Sequence, residues 1–342
     1  MRDIKYLLAY TGPLSAIIAL YFQGILSYST LFYAFLMVPI LELIIDNQQD
    51  DHEYNETEKQ MRLKNKFFDL ILYLNLPLTF GVLFWGFSEI SSQSLEKYEI
   101  IGLTVSLGIV LSSNGINVAH ELGHRKTTFE KTLSKLLLMP SLYMHFYVEH
   151  NFGHHKNVAT NEDPATAKKN QSLYSFWITS VVGQYFNAWR IQLKLLKQNG
   201  SPFLSLKNDM LFYVFFQSIY LILIYIFFGT YTLLFAILVA IISFLLLETI
   251  NYIEHYGLLR KKVNGRYEKV QTIHSWNSNH FVGRIVLYEL TRHSDHHYRT
   301  SKKYQILENK NESPQLPFGY PTSMLISMIP PLWYKLMNPR LV

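Results

Sequence analysis

The chain has 342 residues, of which 49% are hydrophobic, 15% aromatic and only 16% charged. Soluble domains usually carry about 25% charged residues, so this composition favours a membrane protein. The chain contains no cysteine, which excludes disulfides, cysteine-ligated zinc, iron–sulfur clusters and thiol nucleophiles. The net charge of +6 does not require a nucleic-acid partner, because basic residues are expected in the inner loops of a membrane protein.

Six apolar segments are predicted to be membrane-spanning helices, which need about 20 mostly apolar residues each. They cover residues 6–26, 30–45, 67–87, 100–118, 211–228 and 231–252. Very short connections join the first two segments and the last two, so each of these pairs is expected to form a helical hairpin. The predicted fold is therefore an all-α membrane protein, with residues 1–342 forming a single integral-membrane domain.

The distribution of lysine and arginine predicts the orientation of these helices. If the N-terminus faces the cytosol, the outer connections contain a single basic residue, Lys97, out of 31. Both termini and two long regions, residues 119–210 and 253–342, are then cytosolic. We expect these two regions to form a cap on the inner face of the membrane.

Four short stretches at this inner boundary hold nine of the 13 histidines. They are HELGH (His120–His124), EHNFGHH (Glu149–His155), NYIEHYG (Asn251–Gly257) and RHSDHH (Arg292–His297). Residues three or four apart share one face of a helix, so a stretch with this spacing can direct two or three imidazoles at one point. The spacing relates His120 to His124, His150 to His154, and His293 to His296 and His297.

Nine converging imidazoles are too many for one metal ion and suit two ions with four or five nitrogens each. HELGH alone matches the H-E-x-x-H pattern of zinc proteases. Zinc has no redox chemistry, however, and its sites use four ligands, or three and a water. Nitrogen-rich sites with open positions suit iron and O₂ activation instead.

Carboxylates adjoin the histidines at four positions, and we expect them to orient the imidazole rings, with a direct ligand role still open for each. These carboxylates are Glu121, Glu149, Glu254 and Asp295. The remaining histidines are His52, which lies in a charged loop, and His145, His274 and His280, which lie near the motifs. For the last three, a supporting hydrogen bond and an ordinary structural position both stay open.

The motifs resemble those of the integral-membrane alkane 1-monooxygenases (alkane hydroxylases), within the wider membrane fatty-acid desaturase and hydroxylase superfamily. HELGHR resembles the HELxHK box of that family, EHNFGHH its EHxxGHH box and TRHSDHH its LQRHxDHH box. NYIEHYG matches the motif that separates alkane and xylene hydroxylases from ordinary desaturases. Arg125 and Thr291 depart from the family pattern, but neither change removes a histidine.

This resemblance implies a cofactor of two non-haem iron ions. The implied ligands are His120, His124, His150, His154, His155, His255, His293, His296 and His297. It also implies hydroxylation of the terminal methyl group of n-alkanes to 1-alkanols with O₂, the substrate entering from the membrane lipid. A rubredoxin or ferredoxin-type carrier, with its NAD(P)H reductase, would supply the electrons. The expected location is a bacterial cytoplasmic membrane.

Alternative functions stay open at this stage. A xylene-type methyl hydroxylase would share all four motifs, and a fatty-acyl desaturase or hydroxylase is a further alternative, of which NYIEHYG disfavours the desaturase. A membrane zinc protease would have no use for the histidines outside HELGH. A metal transporter would place its site near the middle of the bilayer, whereas these histidines lie at its edge.

Overall fold

The protein is described here by a computed structural model that covers residues 2–45, 54–92 and 94–341, so His52 lies outside the described residues. Within these ranges the chain is almost entirely helical. Its strands are the pair β1 (Lys262–Val263) and β2 (Arg266–Tyr267), which form an antiparallel hairpin with Lys262 opposite Tyr267. The predicted all-α class is confirmed.

The helices up to the third histidine stretch, which ends the last of them, run in the following order. They are α1 (Thr11–Phe22), α2 (Ser29–Phe32), α3 (Val38–Ile44), α4 (Glu56–Lys64), α5 (Phe67–Tyr73), α6 (Asn75–Ser91), α7 (Lys97–Val110), α8 (Asn117–Gly123), α9 (Thr128–Leu138), α10 (Phe146–Glu149), α11 (His155–Asn157), α12 (Leu173–Gln198) and α13 (Asp209–His255). The later helices are α14 (Phe281–Val286), α15 (His293–Tyr298), α16 (Tyr320–Ser327) and α17 (Pro330–Met337).

Short 3₁₀ and π-helical segments extend several of these helices. The 3₁₀ segments are Arg2–Tyr10, Gly24–Tyr28, Thr272–His274, Tyr304–Ile306 and Asn338–Arg340. The π-helical segments are Tyr33–Met37, Leu111–Ile116 and His150–His154. A π-helical turn contains one residue more than an α-helical turn, so it changes which residues share a face.

Five continuous helical stretches in the described ranges are long and apolar enough to cross a membrane. They are Asp3–Phe22, Gly24–Ile44, Phe67–Ser91, Lys97–Gly123 and Asp209–His255. The fifth has 47 residues, or about 70 Å of helix, which is more than twice the thickness of a bilayer's hydrocarbon core. It bends at Gly229, whose φ of 81° and ψ of 177° are accessible almost only to glycine. This bend separates the two segments predicted at 211–228 and 231–252.

The fourth stretch, Lys97–Gly123, lies at the centre of the helical bundle. In its most apolar window 72% of the residues are buried, against 17–44% in the other four stretches. Gly108 permits a close approach to α13, because a Cβ atom there would lie 2.5 Å from Ile242 Cγ2. The stretch ends in α8, which is buried throughout and carries the first histidine motif.

The C-terminal residues hold the end of α13, which carries the third histidine motif. Trp333 of α17 is fully buried against Tyr252 and Tyr256. The indole of Trp276 donates a hydrogen bond of 2.9 Å to the Tyr256 carbonyl. Segments far apart in the sequence thereby fix the position of His255.

Candidate metal centre

The nine histidines named from the motifs lie together and form two groups. The five-histidine group contains His120, His124, His150, His155 and His296, and the four-histidine group contains His154, His255, His293 and His297. Within each group, one possible ligand atom from every residue lies within 4.8 Å of all the others. Neither group includes a carboxylate from the described residues.

The distances in the five-histidine group fit nitrogens that share one metal ion. The Nε2 atoms of His150 and His155 are 2.8 Å apart, and each lies 3.2 Å from His124 Nε2. The Nε2 atoms of His120 and His296 are 3.0 Å apart. Two nitrogens bound at right angles to a metal, with bonds of about 2.0–2.1 Å, lie about 3.0 Å from each other. Hydrogen bonds alone cannot account for the cluster, since a neutral imidazole has one N–H.

The four-histidine group leaves nitrogens buried without hydrogen-bond partners. His154 Nε2 and both ring nitrogens of His297 are in this position, and the Nε2 atoms of His255 and His293 face each other at 3.2 Å. An unpartnered buried polar atom costs about 1–3 kcal/mol. A bound cation would remove this cost, so the residues of both groups fit metal ions.

The second motif does not follow the predicted helical spacing. Residues His150–His154 form a π-helical turn, and the His155 amide donates to the His150 carbonyl. In such a turn residues five apart are stacked, so His150 and His155 share one group while His154 faces the other. The prediction that His150 and His154 point to the same place is therefore wrong.

The fourth motif also divides its histidines. His293 and His297 are four residues apart on α15 and belong to the four-histidine group. His296 is rotated about 100° around the helix from His297 and joins the five-histidine group. The three side chains therefore do not converge on one point as predicted, and α15 instead links the two groups.

Known proteins are similar to this chain over most of its length. The family model described as Fatty acid desaturase matches residues 99–323. An alkane 1-monooxygenase of Pseudomonas putida is 36% identical over 90% of this chain and 76% of its own length. Alkane 1-monooxygenase 1 of Alcanivorax borkumensis is 33% identical over 98% of this chain and 84% of its own length. The chain belongs to the alkane 1-monooxygenase family.

The resemblance drawn from the motifs is thus confirmed. The chain is an oxygenase and, with its apolar helices, an integral membrane protein. The hydroxylase component XylM of a xylene/toluene monooxygenase from Pseudomonas putida is also similar, at 30% identity over 80% of this chain and 74% of its own length. Membership of an oxygenase family decides against the zinc protease and the metal transporter.

Asp163 orients the ring of His154. Its Oδ2 atom accepts hydrogen bonds from His154 Nδ1 at 3.0 Å and from Thr166 Oγ1 at 2.6 Å, and Asp163 is 4% exposed. The bond presents His154 Nε2 to the four-histidine group. No role for Asp163 was predicted from the sequence. Asp163 precedes a proline and lies nine residues after His154, and this spacing does not indicate that the two side chains meet.

Among the four carboxylates expected beside the rings, Glu254 contacts a histidine nitrogen. Its Oε2 atom lies 3.1 Å from His293 Nε2, and its Oε1 atom accepts a hydrogen bond of 2.6 Å from Tyr320 Oη. Both Glu254 and Tyr320 are buried. Glu254 therefore lies at the edge of the four-histidine group.

The other three carboxylates have partners elsewhere in the described residues. Glu121 Oε1 pairs with Arg125 at 2.8 Å and accepts the Tyr304 amide at 3.3 Å. Asp295 Oδ2 pairs with Lys302 at 2.6 Å. Glu149 Oε1 accepts from Asn187 Nδ2 at 3.1 Å. These contacts join neighbouring segments to the motifs and involve no imidazole nitrogen.

Burial keeps most of the ring nitrogens unprotonated. It lowers the pKa of His124 to about 3, with a further contribution from Arg125. Burial and neighbouring imidazoles also hold the pKa values of His150 and His297 well below the ordinary range. Burial acts in the same direction on His154, but Asp163 outweighs it and raises the pKa of that ring. Unprotonated imidazole is the form that binds metal, and a ring paired with a carboxylate is a stronger ligand.

The three remaining described histidines belong to neither group. His145 is buried in the wall of a cavity of about 210 Å³, and burial lowers its pKa to about 3. His274 Nε2 lies 3.3 Å from Glu268, and His280 Nδ1 lies 2.8 Å from Ser278 Oγ. His274 and His280 thus have partners outside the two groups.

Proposed function

We propose that this protein is a non-haem di-iron monooxygenase that converts n-alkanes to 1-alkanols with O₂. The observation that carries the proposal is the pair of histidine groups, one of five and one of four, in a chain of the alkane 1-monooxygenase family. A site with five nitrogens exceeds the four ligands typical of zinc, and imidazole suits iron. Iron bound in the two groups would supply the activation of O₂.

The protein's own contribution is to hold and shield these ligands. The nine histidines would bind the two ions, and Asp163 and Glu254 would hold the rings of His154 and His293 in place. Phe146 stacks on His150 with ring centroids 4.7 Å apart and contributes an apolar wall. Such a wall excludes water from the site, which protects reactive intermediates.

The proposed substrate is an apolar molecule dissolved in the bilayer. The curated relatives named above are alkane 1-monooxygenases, and many apolar side chains on the spanning helices face outward, including Leu43, Phe84 and Phe227. An alkane partitions into the hydrocarbon core because it cannot hydrogen-bond to water. The histidine motifs at the helix ends would meet the methyl end of such a chain.

Electrons would come from a separate carrier on the cytosolic side. The chain has no cysteine and so cannot hold an iron–sulfur or rubredoxin-type centre of its own. We infer a rubredoxin or ferredoxin-type donor with its NAD(P)H reductase. The bias of lysine and arginine supports an orientation in a bacterial cytoplasmic membrane with both termini and the histidines inside.

A xylene-type methyl hydroxylase is the second candidate, because XylM is 30% identical over 80% of this chain. Both candidates place a hydroxyl group on a methyl carbon, so they differ in substrate rather than in site. The similarity to XylM is lower than that to the alkane 1-monooxygenases, at 33–38% identity, which favours the alkane.

The test is whole-cell conversion of an n-alkane series, p-xylene and a fatty-acyl substrate in a host that supplies rubredoxin and its reductase. We expect 1-alkanols from part of the alkane series and none from the His120→Ala variant. Benzylic alcohol from xylene without any alkanol would contradict the alkane proposal, and an unsaturated acyl product alone would make the chain a desaturase. Purified protein that holds one zinc and no iron would contradict the di-iron site.

A further inference from the structure

A surface cleft of about 420 Å³ reaches the five-histidine group. His124 lines it, together with the basic residues Arg125, Lys126 and Lys131. Seven of the nine histidines are buried, whereas His124 is one of the two that are partly exposed. This first cleft therefore gives a route from the surface to a proposed metal ligand.

A second cleft of about 420 Å³ adjoins the first. Lys156, Arg190 and Lys194 line it, and Phe152 belongs to the walls of both clefts. The Phe152 side chain is 49% exposed, although it lies inside the EHNFGHH motif between His150 and His154. An exposed aromatic ring between two polar clefts is a typical anchor for a protein partner.

The charge in the two clefts has one sign. Their linings contain six basic residues and no aspartate or glutamate. Arg125 is neutralised by Glu121 at 2.8 Å and Asp69 at 3.1 Å. The other five basic residues have no ion-pair partner among the described residues; they are Lys126, Lys131, Lys156, Arg190 and Lys194. Such a cluster produces a positive field that attracts an acidic partner and speeds its approach.

We propose that the two clefts form the docking surface for an acidic electron-carrier protein, with Phe152 in contact and His124 as the nearest point of the metal site. This proposal rests on the proposed function, which requires electrons from outside the chain. Electron transfer weakens steeply with distance, so a carrier must sit where a ligand comes close to the surface. Redox partners form small interfaces, and a surface of two adjoining clefts fits that class.

The second cleft lies beside an exposed apolar stripe of α12. Arg190 and Lys194 lie about 120° and 160° around α12 from Ile178, whose side chain is 70% exposed. The exposed apolar stripe of α12 also includes Val182 and Phe186. A helix that rests on lipid turns its apolar stripe toward the bilayer, and Arg190 and Lys194, about 40° and 80° beyond Phe186, lie at the edge of that stripe, where a water-soluble carrier can reach them.

The test measures binding of purified rubredoxin to the purified full-length protein by titration at several salt concentrations. Lys131→Glu and Lys194→Glu reverse one charge in each cleft and alter no proposed metal ligand. We expect each variant to weaken binding about tenfold at low salt, and expect the loss to shrink as salt rises. Lys269→Glu, an exposed position in neither cleft, is the matched control and should bind like the wild type.

A second measurement separates docking from catalysis. Protein reduced chemically and then exposed to O₂ with an alkane should form the same single-turnover yield of alcohol in the cleft variants and the wild type. Unchanged affinity for rubredoxin in both cleft variants would overturn the docking proposal. Weaker binding of the variants to phosphatidylglycerol vesicles, together with an unchanged affinity for rubredoxin, would also overturn the docking proposal. A wild type that forms no alcohol after chemical reduction would instead overturn the proposed function.

Discussion

Asp163 illustrates how a residue outside the histidine motifs controls one of their rings. Its carboxylate accepts from His154 Nδ1 and from Thr166, and it is buried. The hydrogen bond fixes which ring nitrogen is available to a metal. A residue with this contact affects metal affinity without being a ligand.

We therefore predict that Asp163→Asn weakens metal binding by the four-histidine group by about 10–100-fold, since the amide is a weaker acceptor and carries no charge. Iron retention during a chelator titration measures the effect. Glu162→Gln changes an exposed neighbour and serves as control. Equal retention by Asp163→Asn and the wild type would remove Asp163 from the support of the site.

Glu289 is a buried carboxylate that connects segments distant in the sequence. It contacts Arg284 at 2.9 Å and Arg292 at 3.4 Å, and accepts from Tyr6 Oη at 2.7 Å. Burial raises the pKa of Glu289, but the two guanidinium groups outweigh burial and lower it to about 2. The group thus ties the N-terminal segment to the residues before α15.

A depressed carboxyl pKa contributes stability above the unfolded value of about 4.3, and this contribution is lost as the pH falls toward 2. Glu289→Gln should lower stability at neutral pH by about 3–5 kcal/mol, because it removes the negative charge that faces two buried guanidinium groups. It should also reduce the loss of stability between pH 4 and pH 2. Thermal unfolding across this range measures both effects, with Glu162→Gln as control. A variant as stable as the wild type at pH 7 would refute this role.

Among the secondary-structure elements, the π-helical turn His150–His154 decides how the histidines are shared. An α-helical turn there would pair His150 with His154. The additional residue in the turn instead places His155 beside His150, with their Nε2 atoms 2.8 Å apart. One segment of five residues thereby contributes a histidine to each group.

Double variants test this division. His150→Ala/His155→Ala removes two ligands from one group, and we expect it to retain about one iron per chain. His150→Ala/His154→Ala removes a ligand from each group and should retain almost none. Iron content of the purified proteins is the measurement, and His274→Ala should keep both ions. If His150→Ala/His154→Ala retained more iron than His150→Ala/His155→Ala, the result would instead support the α-helical pairing of His150 with His154.

The orientation of the protein as a whole rests on its charge distribution. Lys97 is the single basic residue of the predicted outer connections, out of 31 in the chain. Because the protein contains no cysteine, a single introduced cysteine can be labelled without background. A membrane-impermeant thiol reagent added to intact cells should label Ser94→Cys and leave Lys269→Cys unlabelled. Labelling of both in broken cells is the control, and external labelling of Lys269→Cys would reverse the proposed orientation.

Much of the architecture could be predicted from the sequence because each spanning helix is a continuous apolar segment of the chain. Apolar segments such as 67–87 and 100–118 are visible as composition, and the observed stretches Phe67–Ser91 and Lys97–Gly123 contain them. The nine histidines were identifiable because they cluster in four motifs that share one family pattern. Their convergence also followed from the helix order, which brings the motifs to one boundary.

The sequence by itself therefore determined the helical class, the family and the nine histidines, since composition and spacing express these directly. Only the tertiary structure decided the division into five and four, the hydrogen bond from His154 to Asp163 and the basic clefts beside His124. These features depend on a π-helical turn, on the rotation of α15 and on contacts between distant segments. Such contacts arise from packing, and no local pattern of residues encodes them.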